Sequence, residues 1–265
     1  MLYRNSTLSS EGTVPLLTII TVVRNARFDF DKTVASVASQ KQCGIEYVVV
    51  DGASNDGTVE SAIRSSAIID IFLTEPDRGI YDAMNKGLSL SKGRSLLFLN
   101  AGDTLVSGAV PNLLKSLHRD SHLVCHAVQL CRAGKTIGMY YAETPPVSPD
   151  PQHMYWPHPG ILAQRTVFDL IGNFDITLRY SADLDWMNRV IRSGSFRISY
   201  CIQPVVYFSL GGASSKAQSA SESRRVAIRH GKFIIFAWWR YVKIRVRQIG
   251  RQLLSLFRIS TTGKL

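Results

Sequence analysis

Four short runs of aliphatic and β-branched residues recur through the first hundred positions: Leu16–Val23 (LLTIITVV), Glu46–Val50 (EYVVV), Ile68–Leu73 and Ser95–Leu99. Helix-length stretches separate them, near Asp31–Gln40, Gly57–Ser65 and Gly79–Ser91. A run that is apolar at every position, rather than at alternate ones, suits a strand covered on both faces. Strands of that kind alternating with helices predict βαβ units and a mostly parallel, Rossmann-like α/β sheet flanked by helices. Ligands of such sheets sit beyond the carboxyl ends of the strands. Each run is followed by a polar cluster: Arg24-Asn25, Asp51, Glu75-Asp77-Arg78 and Asn100–Asp103. These four clusters are therefore expected on one edge.

The second half is less regular. Val110–Leu117 reads as a helix, His122–Leu130 and Thr136–Tyr141 as a strand pair, and Glu143–Pro159 as a proline-rich loop. Ala182–Ser193 reads as a helix, Phe196–Ser199 and Val205–Phe208 as two strands, and Gln218 to about Phe257 as one long helix. The expected organisation is an N-terminal tail over 1–14, two halves of the body over 15–105 and 106–222, and a cationic amphipathic helical tail over 223–265. With 45% apolar residues in 265, a sizeable core is available and global disorder is excluded. The four cysteines lie at spacings that fit neither a disulfide framework nor a zinc site, as in a cytosolic protein. The first residues lack the apolar stretch of a secretory signal.

The net charge of +11 is localised. The last 42 residues contain 11 Lys/Arg and no acid, so they hold the whole excess and the remainder is neutral. That pattern argues against a nucleic-acid-binding body. In the tail Ile235, Trp238, Val242, Val246, Ile249, Leu253 and Leu256 recur at steps of three or four, with Arg240, Lys243, Arg247 and Arg251 opposite. A cationic amphipathic helix of this type suits the interface of an anionic membrane, or a packing surface on the body or on a second copy. Its longest apolar run, Phe233–Trp239, is too short to cross a bilayer.

Several residues could carry chemistry. Asp51 closes a buried strand, where it could accept an N–H from a ligand base or simply cap the turn. Asn100-Ala101-Gly102-Asp103 could hold a hard divalent cation shared with a diphosphate, or form an Asx turn. Asp82, Asn85 and Lys86 share a helical face behind Arg78, a face for phosphate and sugar oxygens or a solvated one. Asp183 and Asp185 open a helix whose dipole favours an ionised carboxylate, as a general base or an N-cap requires. His158 lies in a prolyl loop.

Together the stretches LLTIITVVRNA, EYVVVDGASNDGT, TEPDRGIYDAMNKGL, GRSLLFLNAGD, HPGILAQRTVFDLIGNFD, SADLDWMNR and GGASS cover about residues 15–215. In order and spacing they resemble glycosyltransferase family 2, inverting enzymes of GT-A fold, and within it the bacterial colanic-acid-type exopolysaccharide and O-antigen transferases. The resemblance implies an inverting transfer of a hexose from a nucleotide-diphospho-sugar, UDP favoured, to a lipid-linked or growing surface polysaccharide. It implies that residues 15–105 bind the nucleotide-sugar and 106–222 the acceptor, that backbone and side chains around Thr21, Val23 and Asn25 line the base, that Asp51 accepts its N–H, and that Arg78, Asp82, Asn85, Lys86, Asn100 and His158 surround nucleotide and sugar. Asp103 matches the surviving acid of the family's metal motif, for Mn²⁺ or Mg²⁺, with Asn100 and Gly102 in place of two acids. Asp183 matches the catalytic base, Asp185 the second acid of that segment, and GGASS a lid. A polyprenyl-diphosphate-linked acceptor would place the enzyme peripherally on the cytoplasmic face of the inner membrane, held by residues 231–258. Two other readings compete. A nucleotidyltransferase would need a glycine-rich loop after the first strand, which VVRNARFDF lacks; a binding adaptor would have kept the fold without the catalysis.

Overall fold

The structure, a computed structural model, describes residues 1–5, 13–117, 120–211, 217–231, 242 and 246. Residues Leu2–Arg4 form β1, and the four apolar runs form β2 (Leu17–Val23), β3 (Ile45–Asp51), β4 (Ile71–Thr74) and β5 (Ser95–Phe98). Helices α1 (Arg27–Ala38), α2 (Thr58–Arg64) and α3 (Ile80–Leu90) connect the latter four. Then come β6 (Thr104–Leu105), α4 (Ala109–Leu117), β7 (Leu123–Arg132), β8 (Lys135–Tyr140), a 3₁₀ turn at His158–Gly160, β9 (Ile161–Gln164), α5 (Arg165–Ile171), α6 (Ala182–Ser193), β10 (Ile198–Ser209) and α7 (Ala217–Arg229).

The strands join one sheet in the order β1-β4-β3-β2-β5-β9-β7-β10-β6, with β8 added beside β7. Strands β4, β3, β2 and β5 are mutually parallel, and Val23, Asp51 and Thr74 stand side by side in the ladder. The carboxyl ends of β2, β3 and β4 are therefore level, and β5, which ends at Phe98 beside Ile20, points to the same edge, as the polar clusters predicted. The chain steps outward from β2 to β4, then returns to the other side of β2 for β5. That reversal is the topological switch at which α/β sheets open a crevice. Beyond β5 the sheet becomes mixed, because β9 runs antiparallel to both β5 and β7.

Both faces of the parallel strands are covered, which explains their unbroken apolar runs. Ile20, Val22, Val48 and Val50 pack on α3, in a cluster with Met84 and Leu88 that Trp186 of α6 joins beside Phe168 and Phe174. Leu17, Ile19, Tyr47 and Val49 pack on α1 and α4, through Phe30, Val34 and Leu113. Each such side chain removed from water contributes about 1.5–3 kcal/mol. Gly87 sets how closely α3 approaches: a Cβ there would lie 2.5 Å from Cγ2 of Ile20.

Three expectations change. The segment read as an N-terminal tail supplies β1, which pairs antiparallel with β4. The two strands expected at 196–199 and 205–208 are one strand, β10, whose ladder shifts register on both sides of Pro204. Proline has no N–H to donate, so the pattern reads as a gap while the strand continues through a bulge. The helix expected from Gln218 is interrupted: α7 stops at Arg229 and Gly231 takes φ +86°, while positions 242 and 246 are again helical. Val226 and Ala227 of α7 are fully buried, so this helix belongs to the body past the boundary expected at 222. Apart from Gly231 and positions 242 and 246, residues 231–258 fall outside the described residues, as do 212–215 of GGASS.

Candidate active site

A cavity of 580 Å³ opens at the carboxyl rim of the sheet, on the β5 side of the switch. Its walls come from the loop after β5, the start of α3, the His158 turn, the start of α6 and the end of β10. Asp103 and Asp183, which are 80 positions apart in the chain, both line it.

The β5 loop is shaped around Gly102, at φ +100°, a conformation that carries no strain only for glycine. Asp103 follows and is 4% exposed. Its Oδ1 accepts the Ser209 N–H at 2.9 Å, and its main-chain oxygen accepts the Thr33 hydroxyl at 2.7 Å. Burial pushes the Asp103 carboxyl up to about 7, against the opposing pull of the Ser209 N–H. Beside it the buried Oδ1 of Asn100 has no hydrogen-bond partner among the described residues. Asp29 lines the same wall, its Cγ 3.8 Å from where a Cβ on Gly102 would stand. A buried carboxyl reluctant to ionise and an orphan amide oxygen would both gain from a hard cation. No group of three or more His, Cys, Asp or Glu gathers among the described residues. The donors therefore fit an ion held by one or two protein oxygens and completed by a ligand's phosphates, the usual mode of Mg²⁺.

Across the cavity, Asp183 sits in the first turn of α6. Its Oδ1 accepts the Tyr81 hydroxyl at 2.8 Å and the Leu184 N–H at 2.9 Å. Asp185, two residues on, faces away: 2% exposed, it binds Arg189 Nε at 3.0 Å, Arg229 at 3.1 Å and His230 at 3.0 Å. Burial raises its pKa, but His230 and Arg189 outweigh that and hold the carboxyl below the usual carboxylate range. The loop before α6 is clamped from behind by buried Glu222 of α7, which accepts the N–H groups of Arg179 at 3.0 Å and Tyr180 at 2.6 Å.

His158 lines the cavity, its ring 5.7 Å from that of Phe98. Burial lowers its pKa against the pull of Asp183, so the imidazole is neutral at pH 7. The remaining sequence candidates lie elsewhere. Thr21 is fully buried, its hydroxyl donating to the Leu99 carbonyl at 2.7 Å, and Val23 belongs to the core, so neither side chain reaches the rim. Asn25, at φ 48°, ties its loop to the turn after β3 through Ser54 and Asn55. The Asp51 carboxylate is fully buried and accepts the Ser54 N–H, the Ser54 hydroxyl and the Thr74 hydroxyl, which makes it the clamp of that turn. Asn85 grips the backbone of Phe174 with both ends of its amide, at 2.9 and 3.1 Å. Arg78 pairs with Asp82, and Lys86 with Glu75 and Asp82, an ion cluster that is not part of the cavity wall.

Three lining residues escaped the sequence reading. Tyr81, at 6% exposure, is core as well as wall, and the apolar pattern of its helix does not set it apart from core. Asp29 stands before the helix expected at Asp31–Gln40 and belongs to no motif. Arg179, the one Lys or Arg among the described lining residues, stands in a loop without periodicity.

The family model described as Glycosyl transferase family 2 matches residues 18–181. Among curated relatives, a PGL/p-HBAD biosynthesis glycosyltransferase of Mycobacterium bovis is 27% identical over 76% of this chain and 80% of its own length. A glycosyltransferase of Mycobacterium tuberculosis is 37% identical over 90 residues, and the match spans 34% of each chain, about a third of that relative. Among solved structures, Staphylococcus aureus TarS 1–349 in complex with UDP-GlcNAc aligns with TM-score 0.64 and 15% identity, over 83% of this chain and 69% of that one. The Pyrobaculum calidifontis mannosyltransferase PcManGT, in complex with GDP-Man and Mn²⁺, aligns with TM-score 0.64 and 17% identity, over 96% and 77%. These likenesses give the GT-A fold, and with a family match over more than half its residues the chain belongs to glycosyltransferase family 2.

Proposed function

We propose that the protein transfers a hexose, with inversion, from a nucleotide-diphospho-sugar to a hydroxyl of a lipid-linked or growing surface polysaccharide. The observation that carries this reading is that Asp103, Asn100 and Asp183 line one cavity at the switch of the sheet. UDP-GlcNAc and GDP-Man in complex with the two structural neighbours support a nucleoside diphosphate as the carrier, UDP being favoured here. Asp103 and Asn100 would hold Mn²⁺ or Mg²⁺, which when bound neutralises charge on the departing diphosphate. Arg179 replaces Arg78 and Lys86 as the cation nearest that charge, since both of those are engaged by acids.

In the transfer, Asp183 takes the proton of the acceptor hydroxyl. The acceptor oxygen forms its bond to the anomeric carbon from the opposite face, and the bond to the diphosphate breaks with its electron pair leaving on the nucleotide. A general base of this kind contributes about 10²–10⁴ in rate. Asp51 and Asn25 shape the loops beside the strand ends where the nucleoside base would rest. The basic segment 231–258 would hold the cavity against anionic lipid on the cytoplasmic face of the inner membrane, beside a polyprenyl-diphosphate carrier. The body has no role toward nucleic acid in this reading. Among the described residues no helix is long and apolar enough to cross a membrane.

The test is a thermal-shift screen against UDP, GDP and TDP with Mn²⁺, followed by release of the nucleoside diphosphate from the matching sugars. Stabilisation by one nucleotide and turnover lost in Asp183→Asn, with nucleotide binding retained, are expected. Turnover in Asp183→Asn above about a tenth of wild type would remove the base from that position.

A further inference from the structure

We propose that Tyr81 is the positioning residue of the base, holding Asp183 by Oδ1 so that Oδ2 alone is presented to the acceptor. The inference rests on Asp183 being the base in the reading above. Both donors to this carboxylate, the Tyr81 hydroxyl at 2.8 Å and the Leu184 N–H at 2.9 Å, converge on Oδ1. Oδ2 has no hydrogen-bond donor among the described residues, and Asp183 lines the cavity. The two oxygens are thus unequal: one is fixed by the fold and one is left to accept a proton.

Tyr81 is suited to hold without reacting. It is 6% exposed, seated in the first turn of α3 with its ring 5.6 Å from that of Phe174. Phe174 is itself fixed by the Asn85 amide. Burial, and next the Asp183 charge, raise the Tyr81 pKa well above its ordinary value, so the phenol keeps its proton throughout. Tyrosine is needed here rather than phenylalanine because a lone carboxylate at a helix start swings between rotamers, while a charge-assisted hydrogen bond selects one. The close seating of Gly87 against Ile20 fixes the height of α3, and so the reach of the Tyr81 hydroxyl. Other groups act on the same carboxylate: His158 and Tyr140 interact with it electrostatically, Arg179 shares the cavity, and Glu222 acts on Tyr81.

The test compares full-length wild type with Tyr81→Phe, which removes only the hydroxyl. First, the Asp183 carboxyl is titrated through its ¹³C shift, assigned by its absence in Asp183→Asn. Loss of a donor to the ionised form should move the titration to higher pH. Second, UDP release from UDP-GlcNAc with Mn²⁺, or from whichever sugar the screen selects, is followed against pH. The kcat should fall about 10-fold to 100-fold with KM for the donor unchanged, since a hydrogen bond to a charged group is lost. The acid limb of the profile should move upward with the titration. An Asp183 titration identical in the two proteins overturns the proposal whether or not turnover is seen. A raised titration with unchanged kcat overturns the catalytic role. If the titration moves but Asp183→Asn turns over normally, the hydrogen bond is real and the base assignment fails instead.

Discussion

Replacing Asp103 by asparagine isolates the cost of keeping a carboxylate inside this fold. The side chain is 4% exposed and its pKa rises from 3.8 to about 7, chiefly through burial. In the metal-free protein, then, the folded state binds more protons than the unfolded state between pH 4 and 7. Stability therefore falls as pH rises through that window and levels off above it. A rise of about three pKa units corresponds to at most about 4 kcal/mol. The asparagine side chain keeps the shape and an oxygen for the Ser209 N–H but carries no charge. In EDTA, Asp103→Asn should match wild type near pH 3.5 and melt higher at pH 8, by up to about 10 °C for a chain of this size. With UDP and Mn²⁺ the order should reverse in function: wild type is stabilised above pH 7, while the variant gains nothing and loses turnover. Calorimetry from pH 3.5 to 8.5 reads both effects. A difference in melting temperature that does not change with pH, or a wild type more stable than the variant at pH 8 in EDTA, would mean that this carboxylate is not held at a cost in the fold.

Three further outcomes follow from other parts of the structure. Asp185→Asn leaves Arg189 and Arg229 without their buried acid and should cost about 2–4 kcal/mol in urea unfolding at pH 7. Because that carboxyl lies below the usual range, the difference from wild type should shrink only as pH falls below about 4. Gly87→Ala places a methyl 2.5 Å from Ile20 Cγ2 and should destabilise by about 1–3 kcal/mol while lowering kcat, as α3 lifts and carries Tyr81 with it; an unchanged melting temperature would contradict the close seating. Removing residues 232–265, which carry eight Lys/Arg, should abolish cosedimentation with anionic vesicles, each cation near the surface contributing about 1 kcal/mol; equal sedimentation of both forms would exclude a lipid-binding tail.

The parallel half of the fold was legible because its signal is local. Runs such as LTIITVV need cover on both faces, and the polar residue after each run marks a strand end. The mixed half was not: β9 is four residues long after a proline-rich loop, and its antiparallel place between β5 and β7 depends on partners distant in the chain. The same division runs through the cavity. Asn100, Asp103 and Asp183 could be picked out by chemical type at strand and helix ends. Which neighbouring acid turns inward is a matter of packing: Asp183 meets Tyr81, while Asp185 meets two arginines and a histidine. Asp51 and Asn85 were read as ligand contacts by resemblance, yet their hydrogen bonds close on the protein itself. Residue type alone does not distinguish a polar group that holds a loop from one that waits for a substrate.

The knot around Asp185 also decides where the chain can be shortened. Arg229 at the end of α7 and His230 just past it both reach it, and Arg192 of α6 donates to the His230 carbonyl at 3.1 Å. A truncation at 222 would thus strip the rear brace from the very helix that bears Asp183, whereas a cut after Gly231 spares it. Any force that an anchored tail transmits must arrive first at the back of that helix.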